Sequence, residues 1–328
     1  MRNNIIASLL VSISLVACSS DPEPSAPDAA PPPNTIPRDP AGGFVVSTTL
    51  DVSPPASAAL VIAALDRAAS QPSKFILEKM IATLPDGATK IVATVALPFV
   101  APYLDVRLAE FAPRFVPGVR AIATGFARIA GHANLLEVWK IDASGAAIRT
   151  IAGVQFDVGA ARPIAFADIG VSDVSAATKV ELDVAGKLTF AHHPISIRYG
   201  AMVRAGLDIS VVPTAEPTAH DVAQALAAMV DCTRVGQLVV DKVGLGSPLV
   251  YRSACVAAMV AVAAELDDHV VAIDVAPMVL TLTGTAIGVD VDHDGTMNAI
   301  KAGHWTGAAT HAGATQPVAA TFAGGSPP

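Results

Sequence analysis

The spacing of apolar residues changes at Gly131, and this change constrains the fold more than any other feature of the chain. Before Gly131 the spacing is that of one helix face, best seen in Phe111, Phe115, Val119, Ile122, Phe126 and Ile129. After Gly131 the apolar stretches are short and bounded by Gly, Ser, Asp or Pro, as is typical of strands. The chain therefore predicts an α+β fold, with a helical portion over 54–130 packed on an antiparallel sheet or open β-barrel within 131–323.

The same patterns place the individual elements. Helices are expected over 56–69 and 74–84, the second capped by Ser73, and over 91–130, where prolines divide or kink the chain. Strands are expected at 135–141, 154–158, 179–184, 188–190, 195–199, 207–212, 270–275, 279–289, 297–305 and 318–322. The sequences DASG (142–145) and DVAGK (183–187) are expected to form hairpin turns.

Two interpretations fit the apolar stripe from Phe111 to Ile129. Arginines flank it at positions 107, 114, 120 and 128, so the segment resembles a basic amphipathic helix that lies on a lipid surface. A core helix with solvated arginines has the same pattern, and we favour that interpretation.

The N-terminus has the pattern of a targeting signal. Arg2 precedes an apolar run from Ile5 to Val16, which is too short to span a bilayer and is placed like a signal peptide. The run ends in Leu-Val-Ala-Cys at 15–18, which resembles the lipobox of bacterial lipoproteins. The resemblance implies a signal peptide over 1–17 and a lipidated Cys18, and Ser19 after it implies sorting to the outer membrane. The mature protein would then be lipid-anchored and either periplasmic or surface-exposed.

The region after Cys18 is rich in proline. Eight prolines fall within residues 19–43, so we expect 18–43 to be a semi-stiff tether, able to extend about 75 Å at roughly 3.1 Å per residue. A single α+β domain is expected over 44–323, followed by a flexible tail over 324–328.

Two cysteines remain once Cys18 is acylated. Cys232 follows one helical pattern (221–230) and Cys255 begins another (255–266). Disulfides persist outside the cytoplasm, so we expect a Cys232–Cys255 bridge that clamps two helices. The alternative is a pair of separate buried thiols.

The stretch DVDHDGTMN (290–298) is the main candidate site. Asp290, Asp292, Asp294 and Asn298 fall at positions 1, 3, 5 and 9 of a loop with Gly295 at position 6, and Thr296 at position 7 could offer its carbonyl. Such an oxygen-only set suits calcium. The loop resembles the Asp-x-Asp-x-Asp-Gly calcium loops between strands, although Lys301 stands where an EF-hand has its bidentate glutamate. A polar turn without metal is the alternative.

The remaining sequence features limit the range of functions. The Ser, Zn and phosphate-loop signatures of common enzymes are absent, and no basic stripe favours nucleic acid. In its composition, its lipobox and its C-terminal aspartate loop, the chain resembles uncharacterised envelope lipoproteins of myxobacterial type. We expect a non-enzymatic binding or structural module, for a lipid or other apolar ligand if it binds one. A secreted hydrolase without a standard motif is the alternative.

Overall fold

The structure, a computed structural model, describes residues 35–159 and 162–327. The expected signal peptide (1–17), the lipidation site Cys18 and most of the expected tether lie outside the described residues. The α+β class is confirmed.

Nine antiparallel strands make up the sheet of the described residues. They are β1 (Gly42–Asp51), β2 (His132–Ile141), β3 (Ala146–Gln155), β4 (Pro163–Ala165), β5 (Val174–Leu182), β6 (Lys187–Ile197), β7 (Met278–Val289), β8 (Ala299–His311) and β9 (Ala314–Gly325). Neighbouring strands follow the order β2–β1–β9–β8–β7–β6–β5–β3, and β3 pairs back with β2. Eight strands therefore close into a barrel, and β4 extends the edge of β3.

Aromatic side chains fill the middle of this barrel. Trp139, Phe190, Trp305 and Phe322 contact one another with ring centroids 4.6 to 5.8 Å apart. A Cβ at Gly284 would approach the Trp305 ring to 2.3 Å, so that strand position has to be glycine. An eight-stranded barrel is just wide enough for side chains to fill, and here large rings occupy the space.

The helices form two insertions in the barrel. The first, between β1 and β2, contains α1 (Ala56–Ser70), α2 (Pro72–Thr83), α3 (Ala88–Val106), α4 (Leu108–Phe111) and α5 (Phe115–Ile129). The second, between β6 and β7, contains α6 (Tyr199–Gly206), α7 (Val212–Ala215), α8 (Val222–Met229), α9 (Cys232–Val243) and α10 (Pro248–Ile273). The insertions leave the barrel at the same end and pack together, mainly through α10 against α1 and α2.

The stripe from Phe111 to Ile129 belongs to the core. Each of its six apolar residues is at most 1% exposed, whereas Arg114 and Arg128 reach the surface and pair with Glu216 and Asp157. Core packing is therefore the correct interpretation, and this stripe does not face a membrane.

Helix α3 exposes apolar side chains instead. Ile91, Val95 and Phe99 recur every four residues and are 65%, 68% and 71% exposed. Helices α3 and α10 are the two in the described part of the chain with the length and hydropathy of a membrane span. Core helices of folded domains have the same length and hydropathy, and α10 supplies core residues such as Cys255 and Met259.

Two segments expected as strands are helical. Residues 207–212 continue from α6 through a π-helical turn (Leu207–Val211) into α7, and 270–273 are the last turn of α10. Short apolar runs are ambiguous between strand and helix. Here Leu207 and Val211 are four residues apart and both buried, so helical spacing carries them into the core.

Other local expectations also need correction. Strand β1 was not predicted, although Phe44, Val46, Thr48 and Leu50 alternate inward. Ser73 lies buried within α2, and Gln71 takes the N-cap position. The expected flexible tail is partly ordered, because residues 324 and 325 pair in β9 with β1.

Candidate functional site

The aspartate loop joins β7 to β8 at the barrel end opposite the helices. The expected hairpin turns DASG and DVAGK are present at the same end, where Asp142 and Asp183 accept hydrogen bonds from backbone N–H groups of their own turns.

Residues 35–41, expected to be part of the tether, pack against this loop. The Asp290 N–H donates to the Thr35 carbonyl (2.9 Å), and the Arg38 N–H donates to the Gly295 carbonyl (2.8 Å). The Met297 N–H donates to the Asp39 carbonyl at 3.0 Å. The segment 35–43 therefore belongs to the folded unit, because its backbone groups find partners on the loop and β1 begins at Gly42.

Three carboxylates of the loop converge. One oxygen from each of Asp290, Asp292 and Asp294 lies within 4.8 Å of the other two. Asp290 is 2% exposed, whereas Asp292 and Asp294 face solvent. Like charges so close repel one another unless a cation neutralises them or water screens them, and this group could hold a metal ion.

Asp290 is the buried member of the three converging aspartates. Its Oδ2 accepts the Gly295 N–H at 2.8 Å, but its Oδ1 is buried and has no hydrogen-bond partner among the described residues. A buried carboxylate oxygen without a partner costs at least about 1–3 kcal/mol. Gly295 has a φ of 94°, a conformation that favours glycine and directs its N–H at Asp290.

Thr296 and Asn298 have mainly local partners. The Thr296 N–H and hydroxyl donate to Asp294 Oδ1 at 2.7 and 2.5 Å, and these bonds, the hydroxyl's first, lower the pKa of Asp294. The Asn298 Oδ1 accepts the Val291 N–H at 2.8 Å, so this side chain closes the base of the loop. Both residues shape the loop, and the converging oxygens come from the three aspartates.

The expected disulfide is present, with a difference in the helices that it joins. Cys232 and Cys255 are bonded, which clamps α9 to α10. Cys232 begins α9 instead of ending α8, because Asp231 caps α9 by accepting the N–H groups of Thr233 and Arg234.

Sequence reasoning missed a charged cluster inside the barrel. Glu137 and Arg149 are 1% and 2% exposed, and Trp139 Nε1 donates to Glu137 Oε2 at 2.6 Å. His193 Nε2 lies 3.2 Å from Arg149 Nη1. The inward position of Glu137 could have been found from its alternation with Leu135 and Trp139 in β2.

One open cleft is lined by both histidine and serine side chains. It has a volume of about 430 Å³ and is lined by His311, Ser53 and Ser57 among others. The His311 Nε2 is 2.7 Å from the Ile273 carbonyl, and in the described residues no serine hydroxyl is bonded to this histidine.

Comparison with known proteins finds no matching family model, no similar characterised protein and no similar solved structure.

Proposed function

We propose that this protein is an outer-membrane lipoprotein whose α+β body is a non-enzymatic binding and structural module, with calcium bound in loop 290–298. The observation that supports the calcium site is the buried Oδ1 of Asp290, which has no hydrogen-bond partner in the described part of the chain and belongs to a group of three converging carboxylates. A cation would give that oxygen the partner it lacks.

The donor chemistry favours calcium over softer metals. The three ligands are carboxylates, and hard cations with flexible coordination prefer oxygen. Two of the aspartates are exposed, and Lys301 cannot supply the bidentate carboxylate of an EF-hand. We therefore expect weak binding, on the order of 10⁻⁴ to 10⁻³ M, as in extracellular modules.

The ion would hold the N-terminal segment 35–39 against the barrel. The backbone of residues 35–39 bonds to Asp290, Gly295 and Met297, so fixing the loop also fixes the start of the folded unit. In a lipid-anchored protein this is the point at which the anchor's linker meets the body.

The calcium proposal is tested by thermal melting of the full-length protein. Calcium at 5 mM should raise the melting temperature relative to chelator, and Asp292→Ala should abolish the rise because it removes one exposed ligand while leaving the buried Asp290. Asp173→Ala, which removes an exposed aspartate just before β5, is the matched control and should keep the rise. Superimposable melting curves with calcium and with chelator would make the loop a polar turn.

The anchor is supported by the lipobox-like sequence at 15–18 and by the apolar face of α3. The stretch 91–104 contains no charged residue, and its exposed Ile91, Val95 and Phe99 suit insertion into the headgroup region of a bilayer. The 18 residues from Cys18 to Thr35 could extend about 50 Å at roughly 3.1 Å for each of the 17 steps between them, so a bilayer lies within reach of the body.

Metabolic labelling with a fatty acid tests the anchor. The wild-type chain should take up the label and fractionate with outer membranes, whereas Cys18→Ser should not be labelled. Label that persists in Cys18→Ser would place the lipid elsewhere and end the proposal of a lipobox anchor.

A further inference from the structure

Two open clefts meet on the surface of the second helical insertion. The first, of about 480 Å³, lies between α6, the π-helical turn and the last part of α10. The second, of about 340 Å³, lies between that turn, the start of α8 and the middle of α10. Both are lined by Arg204 and Asp208, so the two clefts adjoin at these residues; we call them together the α6–α10 groove.

The walls of the α6–α10 groove are mainly apolar. The lining side chains of the first cleft include Ile169, Val171, Ile209 and Val270, and those of the second include Leu207, Val222 and Val260. Val260 is 59% exposed. An apolar ligand body would cover the exposed part of these walls, which Ile169, Ile209 and Val260 contribute.

The charges of the groove are not balanced. Arg198 forms an ion pair with Asp274, and Arg204 forms one with Asp267. The carboxylate of Asp221 accepts two hydrogen bonds from Gln224 at the start of α8, and no cation pairs with it in the described residues. Asp208 likewise has neither an ion pair nor a hydrogen bond there, so the groove holds an excess of negative charge.

Asp208 is partly desolvated by its position. Burial raises its pKa to about 6, and the charges of Asp221 and Asp267 add to that rise while Arg204 opposes it. At neutral pH the carboxylate is ionised and remains poorly neutralised. Among the described residues only Asp290, Asp292 and Asp294 converge closely enough to chelate a metal, so an organic cation fits Asp208 better than a metal ion.

The backbone that presents Asp208 is unusual. Residues 207–211 form a π-helical turn between α6 and α7, just before Pro213, which has no N–H to continue an α-helical ladder. Turns of this kind are rare and occur frequently at functional sites. Here the wider turn places Asp208 at the junction of the two clefts.

We propose that the α6–α10 groove binds a cationic amphiphile, with an ammonium group paired to Asp208 and an apolar chain along the walls of the two clefts. It rests on the binding role proposed above and specifies that the apolar ligand is cationic and binds in the α6–α10 groove. An anionic amphiphile fits less well because both arginines already have carboxylate partners.

The test uses three probes of one chain length: octylammonium, octanol and octanoate, each below its aggregation concentration. Binding is measured by isothermal titration calorimetry with the full chain carrying Cys18→Ser, so that no attached acyl chain competes. At pH 7.5 octylammonium should bind at least several-fold more tightly than the other two. Its affinity should fall at pH 5, where Asp208 is mostly protonated.

Two variants and a control assign the effect to the groove. Asp208→Asn should weaken octylammonium binding about tenfold, equivalent to the loss of about 1.4 kcal/mol. Val271→Arg, at the half-exposed rim of the first cleft, should also weaken it by adding a positive charge. Asp173→Asn should have no effect.

Tighter binding of octanoate than of octylammonium, or unchanged octylammonium affinity in both folded variants, would overturn the inference. The measured affinities depend neither on acylation nor on calcium. Failure of this inference can therefore be told apart from failure of the proposed lipid anchor or calcium site.

Discussion

Arg149 and Glu137 form a side-on ion pair inside the barrel, with Nε donating to Oε2 at 2.5 Å and Nη2 donating to Oε1 at 2.8 Å. The guanidinium also lies 4.5 Å from the centre of the Trp305 ring. Removing two charges from water costs free energy. The ion pair offsets this cost because the polar atoms of both side chains have partners within the cluster. The cluster therefore fixes the arrangement of β2 and β3 from within.

We expect Arg149→Met to destabilise the protein by about 3–5 kcal/mol, because it leaves a buried carboxylate without its cation. The double variant Arg149→Met with Glu137→Gln should lose clearly less stability than the Arg149→Met single variant. Glutamine is uncharged, and its side-chain oxygen can still accept the hydrogen bond from Trp139 Nε1. Urea unfolding of the wild type and the variants measures the difference. A double variant as unstable as the Arg149→Met single variant would show that the unpaired charge is not the cause.

His193 should make stability depend on pH. It is 2% exposed, and burial is the main cause that lowers its pKa. The unfolded chain then takes up a proton near pH 6.5 while the folded chain resists it, so stability is lost as pH falls below about 6.5. Between pH 7.5 and 5.5 the wild type should lose more of its free energy of unfolding than His193→Gln does, as measured by urea unfolding. Equal losses would mean that His193 accepts its proton in the folded state.

The disulfide should contribute to stability through the unfolded chain. The bridge closes a loop with a sequence separation of 23, for which chain entropy predicts about 3 kcal/mol. The double variant Cys232→Ser with Cys255→Ser should therefore have a free energy of unfolding about 3 kcal/mol lower than that of the wild type. Alkylation of the denatured, unreduced wild type should find neither cysteine modified, and modification of both would contradict the bridge.

The sequence predicts features that depend on local chemistry. The stripe through Phe126, the hairpin turns at 142–145 and 183–187, and the aspartate loop each follow from spacing or turn residues within about 20 positions. Closure of the barrel does not, because it depends on β2 pairing with β3 and β1 at once, and β1 is separated from β2 by five helices.

The wrongly predicted strand at 207–212 and the unpredicted ion pair of Glu137 and Arg149 also depend on contacts between distant parts of the chain. Residues 207–212 alternate as a strand would, but their neighbours in the chain are helical and only their packing against the core decides the outcome. The ion pair of Glu137 and Arg149 required the register of β2 and β3, in which Trp139 lies opposite Arg149. The alternation within β2 indicates that Glu137 points inward, but no local pattern identifies Arg149 as its partner.

Helix α3 provides the last prediction, a contact with the membrane. Phe99→Cys gives the mature protein one free thiol, because Cys18 would be acylated and Cys232 and Cys255 are bonded. A nitroxide on this cysteine, in native protein reconstituted into phospholipid vesicles, should be more accessible to oxygen than to a water-soluble nickel reagent, since oxygen concentrates in the acyl region. Val184→Cys is the matched control: it is 98% exposed, lies in the turn between β5 and β6 at the other end of the barrel, and should report water. If position 99 is as accessible to the nickel reagent as position 184, the apolar face of α3 does not touch the bilayer.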